Sequence, residues 1–359
     1  SGDWELFPFL GAAIYNPILT ALQNAGMTPE LFLYDWRRPA TNTSELLKPF
    51  VENGLVTDEK KYLVGHSMGG LVGRAYLDQV TTHHRLDKMI TVGTPHKGAL
   101  KAYPAWSAGE IWEDKLLKRI FLTAVLKSCG LRNGKDDRVT IRTMIPSVRD
   151  LLPTFNYLRD NTTDLFKSVG SMIAQNTWLS ASIFSTPFYG VTMGTLSGNT
   201  FETLSSMVVK NRNRHDERLG NWADGKPLKK EFLPNGDGTV LETSSTLADA
   251  DNRTIALDHE NLIASPSGIL SIFDFLGITP VGLSASSYVE PTSALIIIGY
   301  PASLLVTDPS GKTHKDTQGL VAIANPKGGA YKLVLTPISD QPRLIVAQFL
   351  PNGKTLWKE

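Results

Sequence analysis

The sequence predicts an α/β protein that ends in a small antiparallel β-sandwich, on three observations. Short apolar runs alternate with helical patterns over residues 14–98, which is typical of a parallel sheet covered by helices. The alternation is interrupted over about residues 99–213, a stretch that is helical in places. Past Gly282, short β-rich runs are separated by turns such as "DPSGK". We therefore predict a main domain at 1–282 with a large insertion at about 99–213, and a β-sandwich domain at 283–359.

The alternation opens with a helix, a strand and a second helix. Apolar residues between Ile14 and Asn24 recur at helical spacing, and Gly26 is placed to end that helix. The run "ELFLYDWRRP" predicts a short buried strand that stops at Pro39, because proline cannot donate to a strand ladder. Residues 44–53 again show helical spacing.

The next unit is built around a serine. The apolar run "KYLVG" predicts a strand before Ser67, and the residues after it follow a helical period. "LDKMITV" predicts another strand, which runs into a loop at 94–98. Ligand sites of parallel sheets lie at the carboxyl ends of the strands, where Ser67, Trp36 and His96 fall.

The remaining elements follow the insertion. Within it, "DKLLKRIFLTAVL" predicts a helix with an apolar face at 116–124, and "FYGVTMGTL" predicts a strand that returns the chain to the sheet. "NGDGTV" predicts a tight turn at 235–240, and "SGILSIFDFLGI" predicts a closing helix. Five or six antiparallel strands are expected past Gly282.

Composition excludes several classes of protein. Hydrophobic residues make up 42%, charged residues 20%, and the net charge is +1, which is typical of a globular protein without a nucleic-acid partner. The single Cys129 cannot form an internal disulfide, and the longest apolar run is shorter than the ~20 residues that span a bilayer. Because the chain begins at Ser1, we expect a segment upstream, such as a leader. We expect a secreted or cell-surface location, although the composition also fits a cytoplasmic protein.

The stretch "GHSMG" places Ser67 two residues from a glycine on each side. In G-x-S-x-G the serine lies on a sharp strand-to-helix turn that lifts its hydroxyl above the sheet. The Met68 N–H, at the start of the following helix, would donate to a developing oxyanion. The alternative is a Gly-rich turn in a nucleotide-binding sheet, but no G-x-G-x-x-G or Walker lysine accompanies it. We predict neither a cofactor nor a metal.

A nucleophilic serine needs a histidine to remove its proton, and elimination leaves His259. It follows a strand and precedes the last helix, in "IALDHENLI"; the alternative is a surface-loop histidine. The other six histidines lie in the serine turn, in polar or charged stretches, before any candidate acid, or in the terminal module. They are His66, His83, His84, His96, His215 and His314.

The acid that orients the histidine is predicted to be Asp237. It lies between two glycines in "NGDGTV", which present one carboxylate from a sharp turn, although the same sequence also suits a simple hairpin. Asp258 adjoins His259 in extended chain, so the two side chains point in opposite directions. Asp251 and Asp224 remain as alternatives.

Substrate-binding candidates are aromatic residues and histidines near the predicted strand ends and in the insertion. They are Trp36, His66, His96, Trp112 and Trp178. The apolar face at 116–124 and the aromatic residues Trp106, Phe155 and Phe184 either line an acyl pocket, contact a lipid surface, or belong to the core.

Six motifs resemble one known family. "YDWRRP", "GHSMGGLVGRAYL", "TVGTPHKGA", "IPSVRDLLP", "NGDGTV" and "LDHENL" are similar to the α/β-hydrolase lipases and acyltransferases related to lecithin:cholesterol acyltransferase and lysosomal phospholipase. The likeness is scattered over about residues 31–277. It implies an α/β-hydrolase fold with a helical cap, an acyl ester substrate, and a triad of Ser67, Asp237 and His259.

The chain departs from the family in two respects. The family's two disulfides cannot form with one cysteine, so the chain resembles a bacterial or archaeal relative. The second oxyanion donor of this fold follows an earlier strand, and no such strand is predicted before Ile14. We therefore expect a separate N-terminal segment or chain to complete the sheet and the oxyanion hole.

These observations predict a serine carboxylic ester hydrolase, of the lipase, esterase or phospholipase type, that acts on acyl esters through an acyl-enzyme. Two alternatives stay open. An acyltransferase would use the same triad with an alcohol as the acceptor, and an inert hydrolase-like protein would bind a surface through its terminal sandwich.

Overall fold

The computed structural model describes residues 8–53, 61–79, 86–113, 122–123, 125–127, 129–130, 136–181, 190–283, 291–316, 319–338, 342–352 and 354–358. Within these ranges, no helix has the length and apolar character needed to cross a membrane. The chain divides into two compact units. One contains Ser1–Ala12, Ile111–Thr140 and Val289–Glu359, and the other contains Ala13–Glu110 and Ile141–Tyr288.

The larger unit is built on a parallel sheet of four strands, in the order β1-β2-β4-β7. The strands are β1 (Tyr62–His66), β2 (Lys88–Val92), β4 (Thr192–Gly198) and β7 (Asp251–Ile255). The helices packed on them are α1 (Pro8–Asn24), α2 (Ala40–Asn53), α3 (Met68–Gln79) and α11 (Pro266–Leu276). The prediction of a parallel sheet with helices is confirmed.

Alternate residues of the sheet enter two separate cores. Met89 of β2 packs in a cluster with α2 and α3, whereas the next residue, Ile90, packs in a cluster with α1 and α11. This alternation follows from the two-residue repeat of a strand, and it places helices on both faces. The helix predicted at Ile14–Asn24 is confirmed, and the chain leaves it at Gly26, whose φ is +79°.

The strand predicted in "ELFLYDWRRP" is wrong. Residues 27–35 form no strand. Phe32 and Tyr34 pack against the α2–α3 cluster while Leu31 and Leu33 are exposed, so the side chains alternate as in an extended chain. Alternation predicts extended backbone, but a strand also needs a neighbour to pair with, and the described part of the chain supplies none.

Helix α2 begins earlier than its apolar spacing indicates, at Ala40. The Asp150 Oδ2 accepts a hydrogen bond of 2.7 Å from the Ala40 N–H. This contact with a distant residue explains the earlier start, and the apolar spacing cannot reveal it. A carboxylate at the first turn satisfies an amide that has no partner within the helix and interacts favourably with the helix dipole.

The stretch 99–213 contains strands as well as helices. The described part of this stretch includes the helices α4 (Ala102–Ala108), α5 (Asp137–Met144), α6 (Ser147–Asp150) and α7 (Thr177–Ala181), with a 3₁₀ turn at Val169–Ser171. Strands β3 (Leu158–Asp160) and β5 (Thr203–Lys210) form a second sheet with β6 (Lys226–Leu233), in the order β3-β5-β6. The predicted strand "FYGVTMGTL" contains β4, which belongs to the main sheet.

Three further helices lie in the last part of the larger unit. These are α8 (Arg214–Leu219), α9 (Glu242–Ser245) and α10 (Asn261–Ala264). The closing helix predicted in "SGILSIFDFLGI" is confirmed as α11. Ser265 begins it by accepting a hydrogen bond from the Gly268 N–H, and Gly277 ends it in the left-handed conformation.

The C-terminal residues form two antiparallel sheets, with the strand orders β10-β9-β12 and β11-β8-β13-β14. The strands are β8 (Ala294–Tyr300), β9 (Ala302–Thr307), β10 (Thr313–Lys315), β11 (Leu320–Ala324), β12 (Lys332–Pro337), β13 (Arg343–Phe349) and β14 (Thr355–Lys358). Ile297, Val306 and Val321, from three of these strands, share one buried cluster. The prediction of an antiparallel β-rich terminus is confirmed.

Candidate active site

Ser67 occupies the sharp turn between β1 and α3. Its φ is +53°, in the left-handed region that non-glycine residues rarely adopt. Two backbone hydrogen bonds hold the turn: the Ser67 N–H donates to the Val92 carbonyl at 2.8 Å, and the Gly70 N–H donates to the Ser67 carbonyl at 3.1 Å. The turn places the hydroxyl at the carboxyl end of the sheet and at the N-terminus of a helix.

Close backbone packing explains two of the glycines around Ser67. A Cβ at Gly65 would lie 2.7 Å from the Gly70 Cα, and a Cβ at Gly70 would lie 2.0 Å from the Thr94 Oγ1. A Cβ at Gly69 would meet its nearest atom, the Tyr34 Oη, only at 3.8 Å. The packing therefore needs glycine at 65 and 70, whereas it leaves room for a side chain at 69.

His259 bridges Ser67 and Asp237. Its Nε2 lies 3.0 Å from the Ser67 Oγ, and its Nδ1 lies 2.7 Å from the Asp237 Oδ2. A carboxylate can only accept, so Nδ1 carries the proton and Nε2 presents its lone pair to the hydroxyl. In addition, the His259 N–H donates to the Asp237 carbonyl at 3.0 Å. The ring is therefore held in the tautomer that can remove the Ser67 proton.

Asp237 is 1% exposed and lies in the turn between β6 and α9. While Oδ2 contacts His259, Oδ1 accepts hydrogen bonds from the Thr239 and Val240 N–H groups at 2.9 and 2.7 Å. Burial, the largest influence, acts to raise the pKa of this carboxyl, but His259 and the two amides outweigh it and lower the pKa below its ordinary value. Asp237 is thus a carboxylate beside the imidazole.

Two glycines that the sequence motifs did not indicate lie against this pair. Gly93, at the end of β2, has a φ of +58°, and a Cβ there would lie 3.0 Å from the His259 Nδ1 and 3.1 Å from the Asp237 Oδ2. Gly198 ends β4, and a Cβ there would lie 2.6 Å from the Asp237 Cβ. A glycine at or directly after the end of a strand, on the active edge of the sheet, is the signal that could have indicated both.

A family model covers the part of the chain that contains this serine turn. Residues 10–168 match the model described as "Lecithin:cholesterol acyltransferase". Over these residues the chain is similar to that family. The resemblance predicted from the six motifs is confirmed. The matched range includes Ser67 but ends before Asp237 and His259, so their contribution to the site rests on the geometry above.

Similar solved structures include two bacterial lipolytic enzymes. The lipase BlEst2 of Bacillus licheniformis, in its propeptide form, is 16% identical with a TM-score of 0.36, over 89% of this chain and 65% of that chain. The phospholipase PlaB from Legionella pneumophila is 10% identical with a TM-score of 0.42, over 92% of this chain and 84% of that chain. The chain thus spans 65% of the length of the first. Comparison with curated proteins gives no match.

The three alternative acids, which follow the matched range, bind groups other than the His259 ring. Asp224 accepts hydrogen bonds from the Ile173 and Ala174 N–H groups, Asp251 pairs with Arg253, and Asp258 accepts from the N–H of Asn261 at the start of α10. The structure brings Asp237 alone, among these four carboxylates, within hydrogen-bond distance of the His259 ring.

Three of the predicted substrate-binding residues, Trp36, His66 and His96, lie within the matched range 10–168. Trp36 is partly buried in the turn that the Asp35–Arg37 ion pair closes at 2.8 Å. His96 is 2% exposed, with its Nε2 2.9 Å from the Thr91 Oγ1, a location that favours a structural role. Both ring nitrogens of His66 contact protein atoms, as described below.

The other predicted site residues lie further along the chain. Trp178 packs against the α2–α3 cluster, and Trp112 belongs to the smaller unit. Met68 is the first residue of α3, so its N–H has no acceptor within the helix. The predictions for 114–121, Ala124, Phe184, His83 and His84 lie outside the described residues.

Proposed function

We propose that the chain is a serine carboxylic ester hydrolase that acts on acyl esters, with Ser67 as nucleophile, His259 as general base and Asp237 as the group that orients the base. One observation carries the proposal: His259 joins the other two side chains through hydrogen bonds of 3.0 and 2.7 Å in the tautomer that catalysis requires. The similarity to the lecithin:cholesterol acyltransferase family supports a lipid ester as the substrate.

The acylation step follows from these contacts. The Ser67 Oγ attacks the ester carbonyl carbon while the His259 Nε2 takes the hydroxyl proton, and the Asp237 carboxylate stabilises the imidazolium. The carbonyl oxygen becomes an oxyanion, to which the Met68 N–H at the N-terminus of α3 donates. Collapse of the tetrahedral intermediate breaks the bond to the alkoxy oxygen. His259 donates the proton to the departing alcohol, and the acyl group remains on Ser67.

The second step decides between hydrolase and acyltransferase. His259 removes a proton from water, whose oxygen attacks the acyl carbonyl carbon; the bond to the Ser67 Oγ breaks, His259 returns the proton to that oxygen, and a fatty acid is released. An alcohol in the place of water would give a new ester through the same steps, and the matched family's name favours this second candidate. Incubation with an acyl ester and a long-chain alcohol separates the two: acid alone indicates a hydrolase, and transfer to the alcohol indicates an acyltransferase.

A fluorophosphonate probe tests the nucleophile. Such a probe bonds to an activated serine, so the wild-type chain should gain one adduct by intact mass, Ser67→Ala should gain none, and the exposed serine variant Ser303→Ala should label as the wild type does. An inert hydrolase-like protein would not label in any form. Failure of the wild type to label, with its full sheet assembled, would refute the esterase proposal.

We infer also that a strand from a separate segment or chain pairs with the open edge of β1. The Ser67 N–H bonds toward β2, so alternation directs the N–H groups of Val64 and His66 to the opposite edge, where the described ranges hold no strand. A parallel strand there would end beside Ser67 and supply the second oxyanion donor. Finding by intact mass that this chain alone is the active species would contradict the inference.

We propose, finally, that the part of 99–213 that belongs to the larger unit contributes a cap over the strand ends, and that the two C-terminal sheets form a sandwich. A chain-length series of acyl esters tests the cap: a rise in rate above the micellar threshold indicates a mobile cap, whereas a loss of rate beyond short chains indicates an open site.

A further inference from the structure

His66 precedes the candidate nucleophile, and both of its ring nitrogens contact protein atoms. Its Nε2 lies 3.1 Å from the main-chain oxygen of His259, and its Nδ1 lies 3.0 Å from the Tyr15 Oη. A carbonyl oxygen can only accept, so Nε2 carries a proton. When the ring is neutral, Nδ1 holds the lone pair, and the Tyr15 hydroxyl is the donor. The geometry thus fixes the direction of both hydrogen bonds.

The environment keeps the His66 ring neutral. Burial, as the largest cause, and the neighbouring His259 lower the pKa of His66 to about 3. The two imidazole rings are 4.9 Å apart between centroids. A neutral His66 therefore adds no positive charge beside His259, whose ring becomes an imidazolium at each proton transfer.

Tyr15 is a hydroxyl donor throughout the neutral range. Burial, followed by the charge of Glu260, raises the pKa of Tyr15 to about 12, so the hydroxyl keeps its proton. The residue belongs to α1 and packs in the cluster that α1 shares with α11. Its ring also meets the His66 ring edge-on, with the centroids 5.7 Å apart. A packed helix thus holds one end of the hydrogen-bonded chain.

The main chain of His259 is consequently bonded on both sides. Its N–H donates to the Asp237 carbonyl at 3.0 Å, and its C=O accepts from the His66 Nε2 at 3.1 Å. The loop between β7 and α10 is therefore tied to the turn that carries the acid and to the strand end that carries Ser67. Because His66 and Ser67 are consecutive, the second bond sets the position of the base relative to the nucleophile.

We propose that Tyr15 and His66 are positioning residues that hold His259 in register with Ser67 through its main-chain carbonyl. The inference rests on the proposed function for its effect on catalysis. Neither residue touches the reacting atoms. Their effect is on the placement of the His259 Nε2, and a misplacement of about 1 Å can cost about 100-fold in rate.

Two amide variants of His66 separate its two hydrogen bonds. The side-chain nitrogen of glutamine reaches the place of Nε2, so His66→Gln keeps a donor for the His259 carbonyl. Asparagine reaches only the place of Nδ1, so His66→Asn keeps a partner for Tyr15 and loses the bond to His259. We expect His66→Gln to keep kcat within about threefold and His66→Asn to lose about tenfold or more, with KM unchanged in both.

An exposed histidine provides the control for the two amide variants. The same two changes at the exposed His215 should leave kcat and KM unchanged. Tyr15→Phe should lower kcat by about two- to fivefold, because the hydroxyl bond contributes about the energy of one ordinary hydrogen bond. Equal kcat values for His66→Gln and His66→Asn would overturn the proposal. They would mean that His66 acts only by filling space, and that its hydrogen bond to the His259 carbonyl does not matter.

A second measurement does not depend on catalysis. Nitrogen NMR of protein labelled with ¹⁵N-histidine reports which ring nitrogen is protonated, and the His66 signals are those that disappear in His66→Gln. We expect the Nε2–H tautomer in the wild type and in Tyr15→Phe, because the His259 carbonyl accepts from Nε2 in both proteins. The Nδ1–H tautomer in the wild type would refute the proposal even in an active enzyme. If the tautomer is the expected one but the fluorophosphonate probe does not label Ser67, the hydrogen bond from His66 to the His259 carbonyl is supported and only the proposed function is refuted.

Discussion

Gly93 lies directly against the His259 ring. A methyl group on its Cα would sit 3.0 Å from both the Nδ1 and the Cε1 of that ring, although 166 positions separate the two residues in the chain. The backbone there has a φ of +58°, so glycine satisfies both the left-handed conformation and the close approach. The end of β2 is therefore part of the wall that holds the histidine.

Gly93→Ala should lower kcat by about tenfold or more, because the added methyl displaces His259 and the Asp237 carboxylate from their contact. The left-handed conformation should also cost about 1–2 kcal/mol of stability. Gly26→Ala is the matched control, since Gly26 has a φ of +79° and its Cβ would meet nothing within 4 Å. Steady-state kinetics and urea unfolding of both variants test this. A fall in kcat in both variants, or in neither, would contradict the conclusion that Gly93 holds the His259 ring in place.

Asp237→Asn should inactivate the enzyme through the wrong tautomer of His259. The Thr239 and Val240 N–H groups both need the oxygen of the new amide, so its NH₂ group would face the His259 Nδ1. That nitrogen must then accept, which moves the ring proton to Nε2 and removes the lone pair that faces Ser67. We expect kcat to fall by a factor on the order of 10⁴.

Asp258→Asn is the control for Asp237→Asn. Asp258 is the neighbour of His259 but accepts from the N–H of Asn261 at the start of α10. Its amide variant retains an oxygen for that bond, so kcat should stay close to the wild-type value. A comparable loss in both variants would show that negative charge near His259, rather than its tautomer, matters.

The sequence could predict those parts of the fold that depend on local spacing. Helix α1, the β1–Ser67–α3 unit and α11 each follow from a repeat of apolar residues that ends in a glycine, a proline or a cap. The extended run at Leu31–Tyr34 shows the limit. Its side chains alternate as the pattern requires, yet whether it joins a sheet depends on a neighbour elsewhere in the chain.

The candidate site shows the same limit. Ser67, His259 and Asp237 could be found because their chemistry and their order along the chain are restrictive. Gly93 carries no chemical group. Its place directly after a predicted strand could mark it as a candidate, but only the folding of the sheet brings it against His259. The role inferred for His66 likewise depends on Tyr15, 51 positions away, and on a main-chain oxygen.

The pH dependence of stability should reveal the buried His66. Its pKa is lowered from 6.5 to about 3 in the folded chain. Between these values the unfolded chain binds a proton that the folded chain does not, so stability falls as the pH falls. The contribution is at most about 1.4 kcal/mol per pH unit. In urea unfolding between pH 6 and 4, His66→Gln should therefore show a shallower slope, and His215→Gln an unchanged one. An equal slope in His66→Gln and the wild type would mean that His66 is protonated in the fold.

Gly70→Ala and Gly69→Ala should differ strongly in stability although they are neighbours in one helix. A Cβ at Gly70 would lie 2.0 Å from the Oγ1 of Thr94, which is fully buried, whereas a Cβ at Gly69 would meet its nearest atom, the Tyr34 Oη, at 3.8 Å. Overpacking costs about 1–3 kcal/mol, while alanine in place of glycine in a helix gains up to about 1 kcal/mol. We therefore expect Gly70→Ala to be clearly destabilised in urea unfolding and Gly69→Ala to be neutral or slightly stabilised.

Thr94→Ala should restore part of the stability lost in Gly70→Ala when the two changes are combined, because it removes the oxygen that the new methyl meets. Additive effects of Gly70→Ala and Thr94→Ala would show that this contact does not set the packing of α3 on the sheet.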